Sequence, residues 1–159
     1  MNAPHLNRRQ FAAALGGVVI SFSLAPKLAL AQRANLPGSL GGNPMLDAWL
    51  RINPDGSATV FTGKVELGQG IVTALAQIAA EELDLPLDRI KMISGDTAQT
   101  PNEGQTAGSQ STEQSGTALR FAGAEARRVL IDLAAKHLAV SPDTLTVSKG
   151  VIEIGRAHV

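Results

Sequence analysis

The sequence predicts an α+β fold. Three observations carry that expectation: short β-rich runs closed by turn residues, two segments with apolar side chains at helical spacing, and one isolated strand between them. The expected order is β-hairpin, helix, strand, long polar loop, long helix and terminal hairpin.

Residues 48–52 (AWLRI) and 58–62 (ATVFT) read as two strands, with the tight turn Asn53-Pro54-Asp55-Gly56 between them. Beyond the glycine-bearing stretch 63–70, Ile71, Leu75, Ile78, Ala79 and Leu83 recur every three or four residues. That spacing predicts an amphipathic helix of about three or four turns. Pro86 stops it, and 90–93 (IKMI) is a short strand. The stretch 95–110 (GDTAQTPNEGQTAGSQ) carries almost no apolar side chain and is expected to be a long structureless loop, a kind that is usually functional or disordered inside a compact domain. A helix then starts near 111–115 and buries Leu119, Ala122, Ala126, Val129, Leu130, Leu133 and Leu138. Ser141-Pro142-Asp143 ends it, and 145–147 with 151–152 form a hairpin around Lys149-Gly150.

The front of the chain has a different character. The first 31 residues contain Arg8, Arg9 and Lys27 and no acid. Asn7-Arg8-Arg9-Gln10-Phe11 precedes an apolar run over 11–25, followed by the break Pro26-Lys27 and the small-x-small site Ala29-Leu30-Ala31. This is the layout of a signal peptide, and the run is shorter than the ~20 apolar residues of a transmembrane helix. Paired arginines followed by Phe are similar to the twin-arginine signal, whose pathway exports folded proteins. Residues 1–31 are therefore expected to direct the chain to the periplasm, free or membrane-associated. Residues 32–45 are expected to be an extended, mobile linker, with the domain proper over 46–152. The last stretch, 153–159 (EIGRAHV), matches a peptide that a sequencing adapter encodes in one frame; it is expected to be non-native, the reading frame being cut short.

Composition narrows the chemistry. With 14 basic and 14 acidic side chains and no basic block, nothing offers a footprint for a nucleic-acid backbone. The absence of cysteine rules out disulfides, thiolate zinc sites, iron–sulfur ligation and a cysteine nucleophile. His5, His137 and His158 have no metal-binding or triad spacing. Glu81, Glu82 and Asp84 read as a solvated helix end rather than an acid pair.

Two loops, each feeding a helix N-terminus, remain as site candidates. In 63–70 (GKVELGQG), Gly68 and Gly70 flank Gln69: glycine allows close backbone approach, a helix start favours an anion, and the Gln69 amide both donates and accepts. A plain strand-to-helix turn fits the same residues, and Glu66 is expected to serve the loop itself. In 106–111 (TAGSQS), Gly108, Ser109, Gln110 and Ser111 precede the long helix; capping by Ser109 or Ser111 explains one hydroxyl but not the cluster. If the fold brings the two loops together, they form one site for a large phosphorylated ligand.

These runs, GKVELGQGIVTALAQIAAEELDLPLDRI and GDTAQTPNEGQTAGSQSTEQSGTALR, resemble the molybdopterin-binding subunit of the molybdenum hydroxylases, over about 46–147. The early position of the first motif behind an export signal is similar to the isoquinoline 1-oxidoreductase beta subunits and periplasmic aldehyde dehydrogenases. The resemblance implies that Gly68, Gln69 and Gly70 form a first pterin-contacting loop, and that Gly108, Ser109, Gln110 and Ser111 form a second, on the pterin and its phosphate region. It implies molybdopterin cytosine dinucleotide as cofactor, with molybdenum held by the pterin dithiolene. It also implies a small partner subunit with two 2Fe-2S clusters, a downstream acceptor such as a cytochrome, and hydroxylation of an N-heterocycle or aldehyde with oxygen from water. The family's catalytic glutamate has no counterpart here, so no residue is nominated as the base and the chain alone is expected to be inactive. A noncatalytic exported binding module for a nucleotide- or pterin-like ligand, and a remnant that only pairs with a partner subunit, are the alternatives.

Overall fold

The computed structural model describes residues 6–7 and 36–155. The leader expected over 1–31 lies outside these apart from Leu6–Asn7, a two-residue strand (β1). Residues 32–35 and 156–159 lie outside them as well. The other elements are β2 (Leu50–Ile52), β3 (Ala58–Thr62), α1 (Ile71–Leu83), β4 (Ile90–Ser94), α2 (Thr117–Leu138), β5 (Leu145–Ser148) and β6 (Val151–Ile154).

The architecture is α+β, with two three-stranded sheets in the orders β2-β3-β4 and β1-β6-β5. β2 and β3 form the expected antiparallel hairpin, with Leu50 opposite Val60 and Ile52 opposite Ala58. β2 starts at Leu50 rather than 48 because Leu46–Ala48 winds into a 3-10 turn. β4 joins β3 in parallel, from Ala58 opposite Ile90 to Thr62 opposite Ser94. Parallel neighbours need a long crossover, and α1 supplies it. The loop from β3 into α1 is thereby held at the end of the sheet.

α1 buries Ile71, Leu75, Ala79 and Leu83, and α2 buries Leu119, Ala122, Ala126, Val129 and Leu130, so both stripes face one core. Leu133 and Leu138 are only partly buried against it. Full burial of a Leu or Val side chain stabilises by roughly 1.5–3 kcal/mol, and this shared core is the main adhesive of the fold. Both helices end on a left-handed residue, Asp84 and Ala139, whose neighbours' N–H groups return to the last carbonyls: Leu85 donates to Ala80 and Val140 to Ala135. The acidic end of α1 is engaged rather than merely solvated. Glu82 pairs with Arg120 at 2.9 Å, while Asp84 pairs with Arg127 at 3.7 Å and accepts the Lys149 N–H at 3.2 Å. That last bond ties the β5–β6 turn to the helices.

Four expectations are corrected or refined. The segment read as an extended linker is folded from Leu36 onward: Gly38–Gly41 forms a 3-10 turn, Leu40 is buried, and the turn packs on α2 and the residues before it. Asn43 bonds on both sides, its carbonyl accepting Trp49 Nε1 at 2.8 Å and its amide donating to the Asn102 carbonyl at 3.2 Å. The helix expected from 111–115 begins as a π-helical turn, Ser111–Gly116, before α2 proper. The loop 95–110 has no helix or strand but is anchored, beginning with an Asp96 turn in which the side chain accepts the Ala98 N–H at 2.9 Å. At the other end, Glu153 and Ile154 belong to β6, opposite Thr146 and Leu145.

Candidate functional site

The first loop leaves β3 at Thr62 and enters α1 at Ile71, with Gly70 at the helix start. Gly70 holds a φ of 77°, a left-handed conformation that costs a residue with a Cβ roughly 1–2 kcal/mol. The helix N-terminus is filled from within the chain. Glu66 accepts the N–H groups of Gly68 and Gly70, each at 2.8 Å, and of Val72 at 3.2 Å. The N–H groups of Gly70 and Val72, with those of Gly68 and Gln69, hold the Glu66 carboxyl below its ordinary range. Glu66 thus has the loop-building role expected of it. The expected use of this helix start as an external anion site is corrected, because an intrinsic carboxylate already satisfies its donors.

Gln69 closes the same loop. Its Oε1 accepts the Leu67 N–H and its Nε2 donates to the Val65 carbonyl at 3.0 Å. Each amide atom keeps one further hydrogen-bonding direction. Leu67 stands out beside it, 73% exposed.

The second loop arrives from β4 through 95–110 and turns into the π-helical segment. Gly108 and Ser109 are both left-handed, with φ of 63° and 61°, a reversal that Gly accepts freely and Ser does not. Ser109 and Ser111 do not cap the helix: Gln110 occupies the cap position and no side chain bonds there. Among the described residues the Ser109, Ser111 and Thr112 hydroxyls have no hydrogen-bond partner in the chain.

The fold does bring the loops together. They flank one open cleft of about 400 Å³, joined at its base by the Val65 N–H donating to Thr106 Oγ1 at 2.9 Å. Leu67, Ile71, Ala74 and Ala107 give it apolar surface; Gln69, Thr106, Ser109, Ser111 and Thr112 give it donors and acceptors. Gly70 and Gly108 also line it, and no atom lies within 4 Å of where a Cβ on either would stand. Gly68 and Gln110, expected in the site, do not line the cleft; the Gly68 N–H is spent on Glu66, and that of Gln110 on the Ala107 carbonyl at 3.3 Å. Thr106, Ala107 and Leu67 lie within the two candidate loops but were not named as site residues, and Thr112 and Ala74 lie beyond those loops. Helical periodicity places Ile71 and Ala74 on α1, but only the tertiary fold turns Ala74 toward the second loop. An apolar wall beside free hydroxyls and a glycine-bounded backbone suits a planar heterocycle with a polar extension. It therefore fits a phosphorylated pterin.

Among the described residues, no group of three or more His, Asp or Glu could hold a metal ion, and no helix is long and apolar enough to cross a membrane.

Known proteins share this sequence and fold. The chain is 43% identical over 107 residues to a nicotinate dehydrogenase subunit of Pseudomonas putida, covering 67% of this chain and 9% of that protein. It is 34% identical over 156 residues to the isoquinoline 1-oxidoreductase beta subunit of Brevundimonas diminuta, covering 92% of this chain and 20% of the relative. In three dimensions it is similar to quinoline 2-oxidoreductase from Pseudomonas putida 86, with a TM-score of 0.59 and 28% identity over 66% of this chain and 13% of that one. The chain thus spans a fifth or less of the length of these relatives. Residues 8–158 match the molybdopterin cofactor-binding domain, and the chain belongs to that family.

Proposed function

We propose that this chain is the N-terminal part of the molybdopterin-binding subunit of an exported molybdenum hydroxylase, and that its cleft holds part of molybdopterin cytosine dinucleotide. The observation that carries the reading is the convergence of two separate helix-leading loops on one cleft with free hydroxyls and an apolar wall. Gln69 would bond the edge of the pterin with its remaining amide directions, the Ala107 and Ile71 surfaces would shield a ring face, and Ser109, Ser111 and Thr112 would bond the phosphate-bearing side. Because Glu66 already fills the start of α1, the phosphate falls to the second loop. When bound, the cofactor supplies a molybdenum centre that transfers two electrons and delivers oxygen from water to an electron-poor carbon. The metal arrives with its own organic ligand, so a chain without cysteine, and without a carboxylate–histidine cluster among its described residues, is suited to it.

The substrate class we propose is an N-heterocycle or an aldehyde, the former supported by relatives named for nicotinate, isoquinoline and quinoline. Electrons would leave through a small subunit with 2Fe-2S clusters toward an acceptor such as a cytochrome. Arg8 and Arg9 ahead of an apolar run support twin-arginine export to the periplasm. The chain by itself is expected to show no molybdenum-dependent turnover, since no His, Asp or Glu among its described residues lines the cleft to act as the base.

The test is a titration of the isotope-labelled chain with a phosphorylated pterin, dihydroneopterin triphosphate, followed by amide NMR. Saturable shifts are expected at 67–71 and 106–112, with affinity at least tenfold weaker in a Ser109→Ala/Ser111→Ala double variant of unchanged Tm. Absence of saturable shifts at these residues, or equal affinity in the double variant, refutes the reading.

A further inference from the structure

Lys64 is 1% exposed, yet it sits in a loop of mostly exposed residues two positions before Glu66. Lysine is almost never fully buried unless its ammonium finds partners, so this position has a job other than solubility. Its Nζ donates to the Glu103 carbonyl at 2.7 Å and the Gln105 carbonyl at 2.8 Å, both in the second loop. The return ties come from Glu103, whose Oε2 accepts Thr62 Oγ1 at 2.7 Å and the Gly63 N–H at 2.8 Å. Residues 62–64 and 103–105 are therefore bonded in both directions, with the Val65–Thr106 bond next in line toward the cleft. The strands of this lacing lie so close that a Cβ on Gly63 would stand 2.3 Å from the Pro101 carbonyl oxygen. On the far side, Ser94 Oγ donates to the Lys64 carbonyl at 2.6 Å, which fixes the lysine backbone to the end of β4.

We infer that Lys64, with Glu103, is a positioning residue that sets the separation of the two cleft walls before any ligand arrives. The inference rests on the cofactor reading above and adds the means by which the second loop is held ready. Without the lysine, residues 103–108, which have neither helix nor strand of their own, keep only the Glu103 and Thr106 ties, and the hydroxyls of Ser109 and Ser111 are held less closely at their distance from Gln69. An unfixed loop must be ordered by the ligand, and that ordering is subtracted from affinity.

The test compares the wild-type chain with Lys64→Met, with Glu103→Ala as the alternative should the first not fold, and with Leu145→Ala, a destabilising change in β5, which belongs to the other sheet and does not line the cleft. Amide hydrogen exchange and the dihydroneopterin triphosphate titration are read on each. Lys64→Met or Glu103→Ala is expected to speed exchange at 103–108 selectively and to raise the dissociation constant at least tenfold. Leu145→Ala is expected to lower Tm while leaving the dissociation constant within twofold. A role limited to stability predicts that affinity loss follows Tm in all variants, and that result overturns the inference. So does unchanged exchange at 103–108, or a loosened loop with unchanged affinity. A wild-type chain that binds no pterin refutes the cofactor reading and the positioning role with it, while the exchange data alone still report whether the lacing orders the loop.

Discussion

Leu40 offers the sharpest measurement of how the domain begins. It lies in a stretch whose composition reads as linker, but it is 1% exposed and belongs to the same core as Leu75 and Leu119. Leu40→Ala removes three carbons from that core. At about 0.8 kcal/mol for each buried methylene, the transfer cost is about 2.4 kcal/mol, and the residual cavity raises it to about 3 kcal/mol. In a domain of this size that corresponds to a fall in Tm of about 10 °C. Urea denaturation followed by the fluorescence of Trp49, the single tryptophan, gives the value directly. Leu87→Ala is the control, since Leu87 is 44% exposed and should change stability by no more than about 0.5 kcal/mol. If Leu40→Ala unfolds within about 0.5 kcal/mol of the wild type, residues 36–45 are not part of the cooperative unit and the domain starts later than Leu36.

Two further predictions test the first loop and the π-helical turn. The Glu66 carboxyl is held below its ordinary value of 4.5 in the folded chain, so its stabilising effect is complete above that value and is lost as pH falls through the folded one. Glu66→Gln should therefore have a lower Tm than the wild type at pH 6 and converge with it toward pH 3; parallel curves across that range would show that the carboxylate does not cap α1. Ser115 is fully buried and its hydroxyl has no partner among the described residues. Ser115→Ala is expected to raise stability by about 1 kcal/mol in the same urea assay, and a loss of that size would mean the hydroxyl is bonded.

What the sequence revealed and what it hid follow a physical division. β3 and α1 were readable because alternation and helical spacing are local signals, and the β5–β6 hairpin because Lys149-Gly150 punctuates it. The site loops were readable as glycine-bearing entries to helices. That they face one another was not, because it depends on the parallel pairing of β3 with β4, a contact between residues distant in the chain. Leu40 was missed because a single apolar side chain among Pro, Gly and Ser has no period to betray its burial. The role of Lys64 was hidden for a related reason: both of its acceptors are backbone carbonyls, which have no signature in side-chain identity.

The π-helical turn at 111–116 has an implication for how this family can change. A π-turn accommodates one residue more than the α-helical turn it replaces, so losing one codon there would restore regular winding without breaking the chain's hydrogen-bond ladder. Because a π-turn absorbs its extra residue within about one revolution, the segments before and after it would keep their facing and the change would fall on 112–115. Thr112 would be re-aimed at the edge of the cleft while the core beneath Leu119 and Ala122 stayed packed. One deletion could thus retune the ligand site and spare the scaffold, giving a folded descendant a different preference for what it holds.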